Sequence, residues 1–230
     1  MTGAAGRQAI FFDLDGTLTD PFEGITSCFQ HALAELGRPV PAAAELAVFI
    51  GPPLRQGMAT LLGTSEPPLI EQAVALYRAR YSAQGALENR LYDEVPGMLR
   101  ALAESQWRLF VATSKPRVFA ERIIDHFGLR AFFAHVYGAE LDGRFDNKGE
   151  LLAHALEREG LEASACIMVG DRAQDVRAAR QNGLVPVGVA YGYGSREELE
   201  EAGAVAICTS PTELVSWIQA RTPQEAINDS

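Results

Sequence analysis

Short, unbroken apolar runs recur along this chain. Ala9-Ile10-Phe11-Phe12 stops at Asp13, Leu109-Phe110-Val111-Ala112 stops at Thr113, and Cys166-Ile167-Met168-Val169 stops at Gly170-Asp171. Val185-Pro186-Val187-Gly188-Val189 and a shorter run, Ala204-Val205-Ala206-Ile207, follow. Runs of this length without polar alternation suit strands of a parallel sheet covered on both faces. Between them the apolar positions return at helical spacing. Phe119, Ile123, Ile124 and Phe127 form one stripe, Leu151, Leu152, Ala155 and Leu156 another, and Val176, Ala179 and Arg180 share a helix that Gly183 closes. Strands alternating with such helices predict an α/β fold built on a doubly wound parallel sheet.

Residues 21–91 break the alternation. Ile25, Phe29, Ala32, Leu33 and Leu36 make a helical stripe, and no convincing strand follows. Leu36-Gly37, Gly51-Pro52-Pro53 and the stretch 63–68 divide this segment into roughly four helices. The last, over 69–84, carries Val74, Tyr77 and Tyr81 at helical spacing, which reads as helix core facing its neighbours. The organisation expected is a core of 1–20 and 92–230 with an all-helical domain, 21–91, inserted after the first strand.

Composition narrows the partners. With 230 residues, 47% of them apolar, the chain can bury one sizeable core and carry a second small domain. A formal net charge of −10 and no Lys/Arg-rich run disfavour a nucleic acid polymer as partner. A small anion is still accommodated where a metal ion, one lysine and a few backbone N–H groups make a local positive pocket. Cys28, Cys166 and Cys208 are widely spaced and lie in apolar surroundings, so they read as reduced core residues and point to a cytoplasmic setting. The N-terminal stretch has no apolar segment of the signal-peptide kind. No run approaches the roughly 18 apolar residues of a membrane span. The tail after Ala220 is polar and reads as loose. No coiled-coil stripe calls for more than a monomer.

The chemistry gathers where strands end. Asp13-Leu14-Asp15-Gly16-Thr17 follows the first strand directly, at the C-terminal edge where open α/β sheets place their ligands. A turn would also use Asp and Gly, but it gives no reason for two charges at the end of a buried strand. Gly170-Asp171-Arg172-Ala173-Gln174-Asp175 opens a helix, where Asp171 would serve as a cap and Asp175 would complement the dipole. If the two strands are neighbours, Asp13, Asp15 and Asp171 converge into a cluster of hard oxygen donors suited to Mg²⁺. Thr113-Ser114-Lys115-Pro116 stands where a strand meets a helix; its hydroxyl and N–H groups suit either a phosphoryl oxygen or an ordinary cap. Lys148 follows a cap-like Asp146-Asn147, at the positive end of a helix. A lysine there is electrostatically unfavourable unless it reaches into an anionic pocket.

Taken together these residues resemble the haloacid dehalogenase-like hydrolases, over 9–220. The four motifs appear in order as Asp13-x-Asp15-Gly16-Thr17, Thr113, Lys148 and Gly170-Asp171-x-x-x-Asp175, and the helical insert resembles the family's cap on a Rossmann-like core. Gly51-Pro52-Pro53-Leu54-Arg55 and the stretch 92–97 are most similar to the phosphoglycolate phosphatase and 5′-nucleotidase branch. The resemblance implies an Mg²⁺-dependent phosphatase of a small phosphorylated metabolite. Asp13 would be the nucleophile that becomes an aspartyl-phosphate, and Asp15 the general acid and base. Asp13, the Asp15 carbonyl and Asp171 would hold Mg²⁺, with Asp175 as a direct or water-mediated ligand. Thr113, the Ser114 N–H and Lys148 would hold the phosphoryl oxygens. Arg55 is the candidate cap contact to substrate, and a salt bridge is its alternative; Glu23 and Arg117 read as solvated. A phosphomutase of the same fold and a non-catalytic metal- or phosphate-binding module are the competing readings.

Overall fold

A computed structural model describes residues 8–221. The N-terminal seven residues, and the expected loose tail from 222 on, lie outside the described residues. Six parallel strands form the central sheet: β1 (Ala9–Phe12), β4 (Arg108–Pro116), β5 (His135–Ala139), β6 (Cys166–Gly170), β7 (Val185–Val189) and β8 (Ala206–Cys208). Their order is β5-β4-β1-β6-β7-β8. The chain winds outward from β1 through β4 and β5, then returns to the other side of β1 as β6, β7 and β8. The winding reverses at β1, and this opens the ligand crevice at the C-terminal edge between β4, β1 and β6.

Alternation along β1 divides the core. Ile10 and Phe12 face one apolar cluster with Leu99, Val111 and Ile123. Ala9 and Phe11 face the other with Phe110, Leu152 and Met168. Helices α5 (Val95–Ala103), α6 (Arg117–His126), α7 (Lys148–Glu159), α8 (Ala173–Asn182), α9 (Arg196–Ala202) and α10 (Pro211–Gln219) cover the two faces. Gly183 closes α8 in the left-handed conformation, φ 77°, as the sequence predicts.

Three strand expectations need correction. β5 carries His135, Tyr137 and Gly138 and lacks an apolar run, so it was not anticipated; as the sheet edge it has a neighbour on one side alone. β4 continues through Lys115 to Pro116 instead of stopping at Ala112, with an irregular register between Thr113 and Pro116. The last strand begins at Ala206, not Ala204.

Between β1 and β4 the chain is helical: α1 (Phe22–Glu35), α2 (Ala43–Leu46), α3 (Leu54–Leu62) and α4 (Pro67–Arg80), followed by a π-helical turn, Tyr81–Gly85. A two-residue antiparallel ribbon, β2 (Thr19–Asp20) against β3 (Arg90–Leu91), brackets these helices, a strand pair the sequence did not reveal. They enclose their own apolar cluster, which includes Phe29, Met58, Tyr77 and Tyr81 and takes in Phe119 from α6. Gly24 of α1 lets the π turn come close, because a Cβ there would lie 2.1 Å from the Gly85 carbonyl oxygen. Across the seam to the sheet unit, Arg172 donates to the Ile50 carbonyl at 2.7 Å and Gln174 to the Gly51 carbonyl at 2.7 Å. Arg122 donates to Ser82 O and Arg78 to Leu141 O. The three cysteines are free and buried. Among the described residues no helix is long and apolar enough to cross a membrane.

Candidate active site

Strand register brings the motifs to one edge. Phe12 lies opposite Val111 on one side and Val169 on the other, so Asp13 and Asp171, just past the ends of their strands, and Thr113, still within β4, stand at neighbouring positions. The Asp13 N–H still donates to Val169 O at 2.9 Å, and the chain then turns, with the Gly16 N–H donating to Thr19 O at 2.7 Å. Gly16 has φ 82°, and a Cβ there would stand 2.1 Å from Asp171 Oδ2. Glycine is therefore required twice over, by conformation and by the approach of a carboxylate. Gly192 meets the same carboxylate from the loop after β7, where its Cβ would be 2.5 Å from Asp171 Oδ2.

Asp13, Asp171 and Asp175 each place a carboxylate oxygen within 4.8 Å of the others, all three buried. Lys148 reaches into this group from the first turn of α7. Its Nζ lies 3.0 Å from Asp13 Oδ1 and donates to Asp175 Oδ1. Asn147 caps α7, accepting the N–H groups of Gly149 and Glu150. Asp175 also fulfils the expected helix-start role, accepting the Arg172 N–H at 3.0 Å on its second oxygen. Asp171 is not the cap of α8, which is Arg172; its Oδ2 instead accepts the Tyr193 N–H at 2.8 Å.

Burial, then the charges of Asp175 and Asp13, push the Asp171 carboxyl well above its ordinary range. Burial raises Asp175 to about 6, though Lys148 opposes it. Burial by itself would lower the Lys148 ammonium, but Asp13 and Asp175 outweigh it and hold the group above its usual value. One ammonium thus faces three carboxylates. Asp13 Oδ1, at ion-pair distance from Lys148, accepts no well-directed hydrogen bond. An under-neutralised cluster of three buried hard-oxygen donors fits a divalent cation such as Mg²⁺.

The side chain of Asp15 does not join that cluster, contrary to the expected convergence of Asp13, Asp15 and Asp171. It turns the other way, where Lys115 Nζ binds both its oxygens at 2.8 and 2.6 Å. Burial raises its proton affinity, and Lys115 works against that rise. Asp15, Ser114 and Lys115 line a cavity of about 80 Å³ under the helical segment, with Tyr77, Tyr81 and Phe119 among its walls. The helix-core reading of Tyr77 and Tyr81 is therefore incomplete, since both are buried and both face this cavity.

Thr113 is buried at the edge of the site, its Oγ1 accepting the Lys115 N–H at 3.2 Å, and the helix expected to follow this stretch starts only at Arg117, after Pro116. Arg55 takes the salt-bridge role that was the alternative to a substrate contact. It lines the cavity, and it pairs with Glu71 at 2.6 Å and with Asp146 of the sheet unit at 3.4 Å. Glu23 is exposed, and Arg117 pairs with Glu121 and Glu140 at the surface. The residues that sequence reasoning missed are Lys115, Tyr81, Gly192 and Tyr193. The only signals for them were a lysine directly after Thr113-Ser114 and the alternating Tyr191-Gly192-Tyr193-Gly194.

A carboxylate nucleophile candidate, a buried lysine and a cation-ready cluster at the switch point of a parallel sheet define a hydrolase of the phosphoryl-transfer kind. The haloacid dehalogenase-like hydrolase family model matches residues 10–189, and the chain belongs to that family. It is 50% identical over 190 residues to a Pseudomonas aeruginosa protein named 5′-nucleotidase, covering 83% of this chain and 86% of the relative. It is 39% identical over 206 residues to a Mycobacterium tuberculosis protein named tyrosine-protein kinase PtkA, covering 89% of this chain and 69% of the relative. A crystal structure of a predicted phosphatase from Clostridium acetobutylicum superposes with a TM-score of 0.90 at 37% identity, over 94% of this chain and 100% of the other. The chain is a phosphoric monoester hydrolase of this family.

Proposed function

We propose that the protein hydrolyses a small-molecule phosphate monoester through a phosphoryl group carried on Asp13. The observation that carries this reading is the division of labour between two aspartates two residues apart. Asp13 faces the Lys148 charge cluster, whereas Asp15 faces the cavity where a leaving group would lie. In the first step an Asp13 carboxylate oxygen bonds to phosphorus, the ester P–O bond breaks, and Asp15 gives its proton to the departing oxygen. In the second, water attacks the phosphoryl group and its proton returns to Asp15. Asp13 is restored and inorganic phosphate leaves. Lys148, Thr113 and the Ser114 N–H hold the phosphoryl oxygens as charge develops.

Asp13, Asp171 and the Asp15 carbonyl are the ligands we assign to Mg²⁺, with Asp175 binding directly or through water. When bound, the ion supplies the positive charge that allows a carboxylate to approach a phosphate. We read residues 21–91 as a cap domain. The cavity of about 80 Å³ lies between that cap and the sheet unit, and movement of the cap would widen the way in for a phosphate ester. The rings of Phe29, Phe49, Tyr77 and Phe119 on its walls suit a leaving group with a flat apolar face. Nucleoside monophosphates are accordingly the first substrates to examine, and the relative named 5′-nucleotidase supports that choice. Arg55 is placed to meet an anionic or hydroxyl group at the mouth. Three buried free thiols support a cytoplasmic setting, and the net charge of −10 supports an enzyme without a nucleic acid partner, which we read as a monomer without a membrane partner.

The test is phosphate release from a panel of nucleotides, phosphoglycolate, sugar phosphates and p-nitrophenyl phosphate, with Mg²⁺ and with a chelator. Asp13→Asn is expected to lower kcat by about a thousandfold or more. Turnover that survives this substitution refutes the scheme, and a requirement for a bisphosphate would indicate a mutase.

A further inference from the structure

Lys115 is a buried cation that the reaction scheme leaves unused. It is 9% exposed, and its ammonium is fully engaged: two contacts go to the Asp15 oxygens at 2.8 and 2.6 Å and one hydrogen bond goes to the Tyr81 hydroxyl. Among the described residues nothing else donates to the Asp15 carboxylate. A carboxylate with both oxygens on one ammonium is fixed in rotation, and here it is fixed away from Asp13 and toward the cavity.

Tyr81 fixes Lys115 in turn. It opens the π-helical turn after α4, a local irregularity that interrupts the regular helix and re-aims the side chains it carries. Its ring stacks on Tyr77 at 5.6 Å and meets Phe119 of α6 edge-on at 5.1 Å, so it is wedged between the helical segment and the sheet unit. The Lys115 Nζ also lies 4.9 Å from its ring centre. A continuous set of contacts therefore runs from the helical segment through Tyr81 and Lys115 to Asp15.

We propose that Lys115, seated by Tyr81, is a positioning residue that aims the Asp15 carboxyl at the leaving-group oxygen, and that this aim depends on the helical segment being docked. The proposal rests on the phosphatase reading above. Proton delivery balances within it. Lys115 keeps one Asp15 oxygen, the other carries the proton toward the cavity, and that proton passes to the ester oxygen as the P–O bond breaks.

Leaving groups of different basicity separate this role from a structural one. An alkoxide needs the proton as it departs, whereas p-nitrophenolate leaves without it. The quantity to measure is kcat/KM, which reports the steps through formation of the phosphoryl-aspartate. Lys115→Met is expected to lower the ratio of kcat/KM for the best nucleoside monophosphate to that for p-nitrophenyl phosphate by about tenfold or more. Tyr81→Phe, which keeps the ring packing, should move the ratio the same way by a smaller factor, and Lys115→Arg should recover part of it. If Lys115→Met fails to fold, Tyr81→Phe alone decides. An unchanged ratio overturns the positioning role while the phosphatase reading stands. Absence of wild-type turnover, or turnover indifferent to Asp13→Asn, removes the phosphatase reading and this proposal with it.

Discussion

Lys148 carries one charge against the three carboxylates of Asp13, Asp171 and Asp175, and that imbalance sets its behaviour. Replacing it with methionine keeps the volume of the stem and leaves the acids buried without a cation. The expected loss is about 3–5 kcal/mol, seen as a fall in melting temperature of chelator-treated protein. Millimolar Mg²⁺ should restore part of the loss, because a cation among the same oxygens replaces the missing ammonium. An unchanged melting temperature for Lys148→Met would show that the acids do not feel one another. Lys148 was legible in the sequence because a lysine at the positive end of a helix is awkward unless something anionic draws it in. Lys115 was not. Placed after Thr113-Ser114, it looks like any solvated lysine, and only the fold of a segment 34 residues earlier in the chain buries it beneath Tyr81.

Helix α1 and the π turn are held together by two glycines, and the fit leaves no room for a methyl group. A Cβ on Gly24 would lie 2.1 Å from Gly85 O, and one on Gly85 would lie 2.6 Å from Cys28 Sγ. Gly24→Ala is expected to destabilise the helical segment by about 1–3 kcal/mol through overpacking, which a urea titration would reveal. If the variant instead gains stability, the close approach is not a constraint. At this scale the sequence revealed what periodicity can reveal. β1, β6 and β7 were visible as apolar runs, and α6, α7 and α8 as stripes whose members become buried apart from Phe127, half-buried past the end of α6, and Arg180, exposed on α8. The edge strand β5 was hidden because half-buried His135 and buried Gly138, where a Cβ would lie 2.7 Å from Lys115 O, break the apolar run that a central strand would carry. The ribbon of β2 and β3 was hidden because two residues are too few to show a period. Both aspartate motifs were placed correctly at strand ends, yet the direction of the Asp15 side chain depends on a lysine 100 residues away.

The three thiols are distributed over the molecule: Cys28 lies in the helical segment, Cys166 in β6 beside β1, and Cys208 in the last strand. Burial raises each from 9.0 to about 11. A group whose folded value is raised contributes stability that is complete below its unfolded value. That contribution is lost as the pH climbs through the folded one. Denaturant midpoints are therefore expected to be level up to about pH 9 and to fall between pH 9 and about 11. The fall should shrink when Cys28, Cys166 and Cys208 are replaced together by alanine or valine of suitable size. A midpoint that stays flat to pH 11 would show that the thiols ionise equally in both states.

The seam between the two units has a further consequence. Beside the side-chain pairs Arg55–Asp146 and Lys115–Tyr81, four of its polar links run from a side chain on one bank to a peptide oxygen on the other: Arg172 to Ile50, Gln174 to Gly51, Arg122 to Ser82 and Arg78 to Leu141. A peptide oxygen is present whatever side chain the residue bears. The exposed positions 82 and 141 can therefore be recoded without deleting an acceptor, whereas Ile50 is buried and Gly51, with φ 102°, would carry a Cβ 3.0 Å from the Arg172 side chain; loss of any one of the four donors removes a link outright. Substitution at the exposed acceptor positions thus leaves these four links in place, whereas truncation of any of the three arginines or the glutamine removes one.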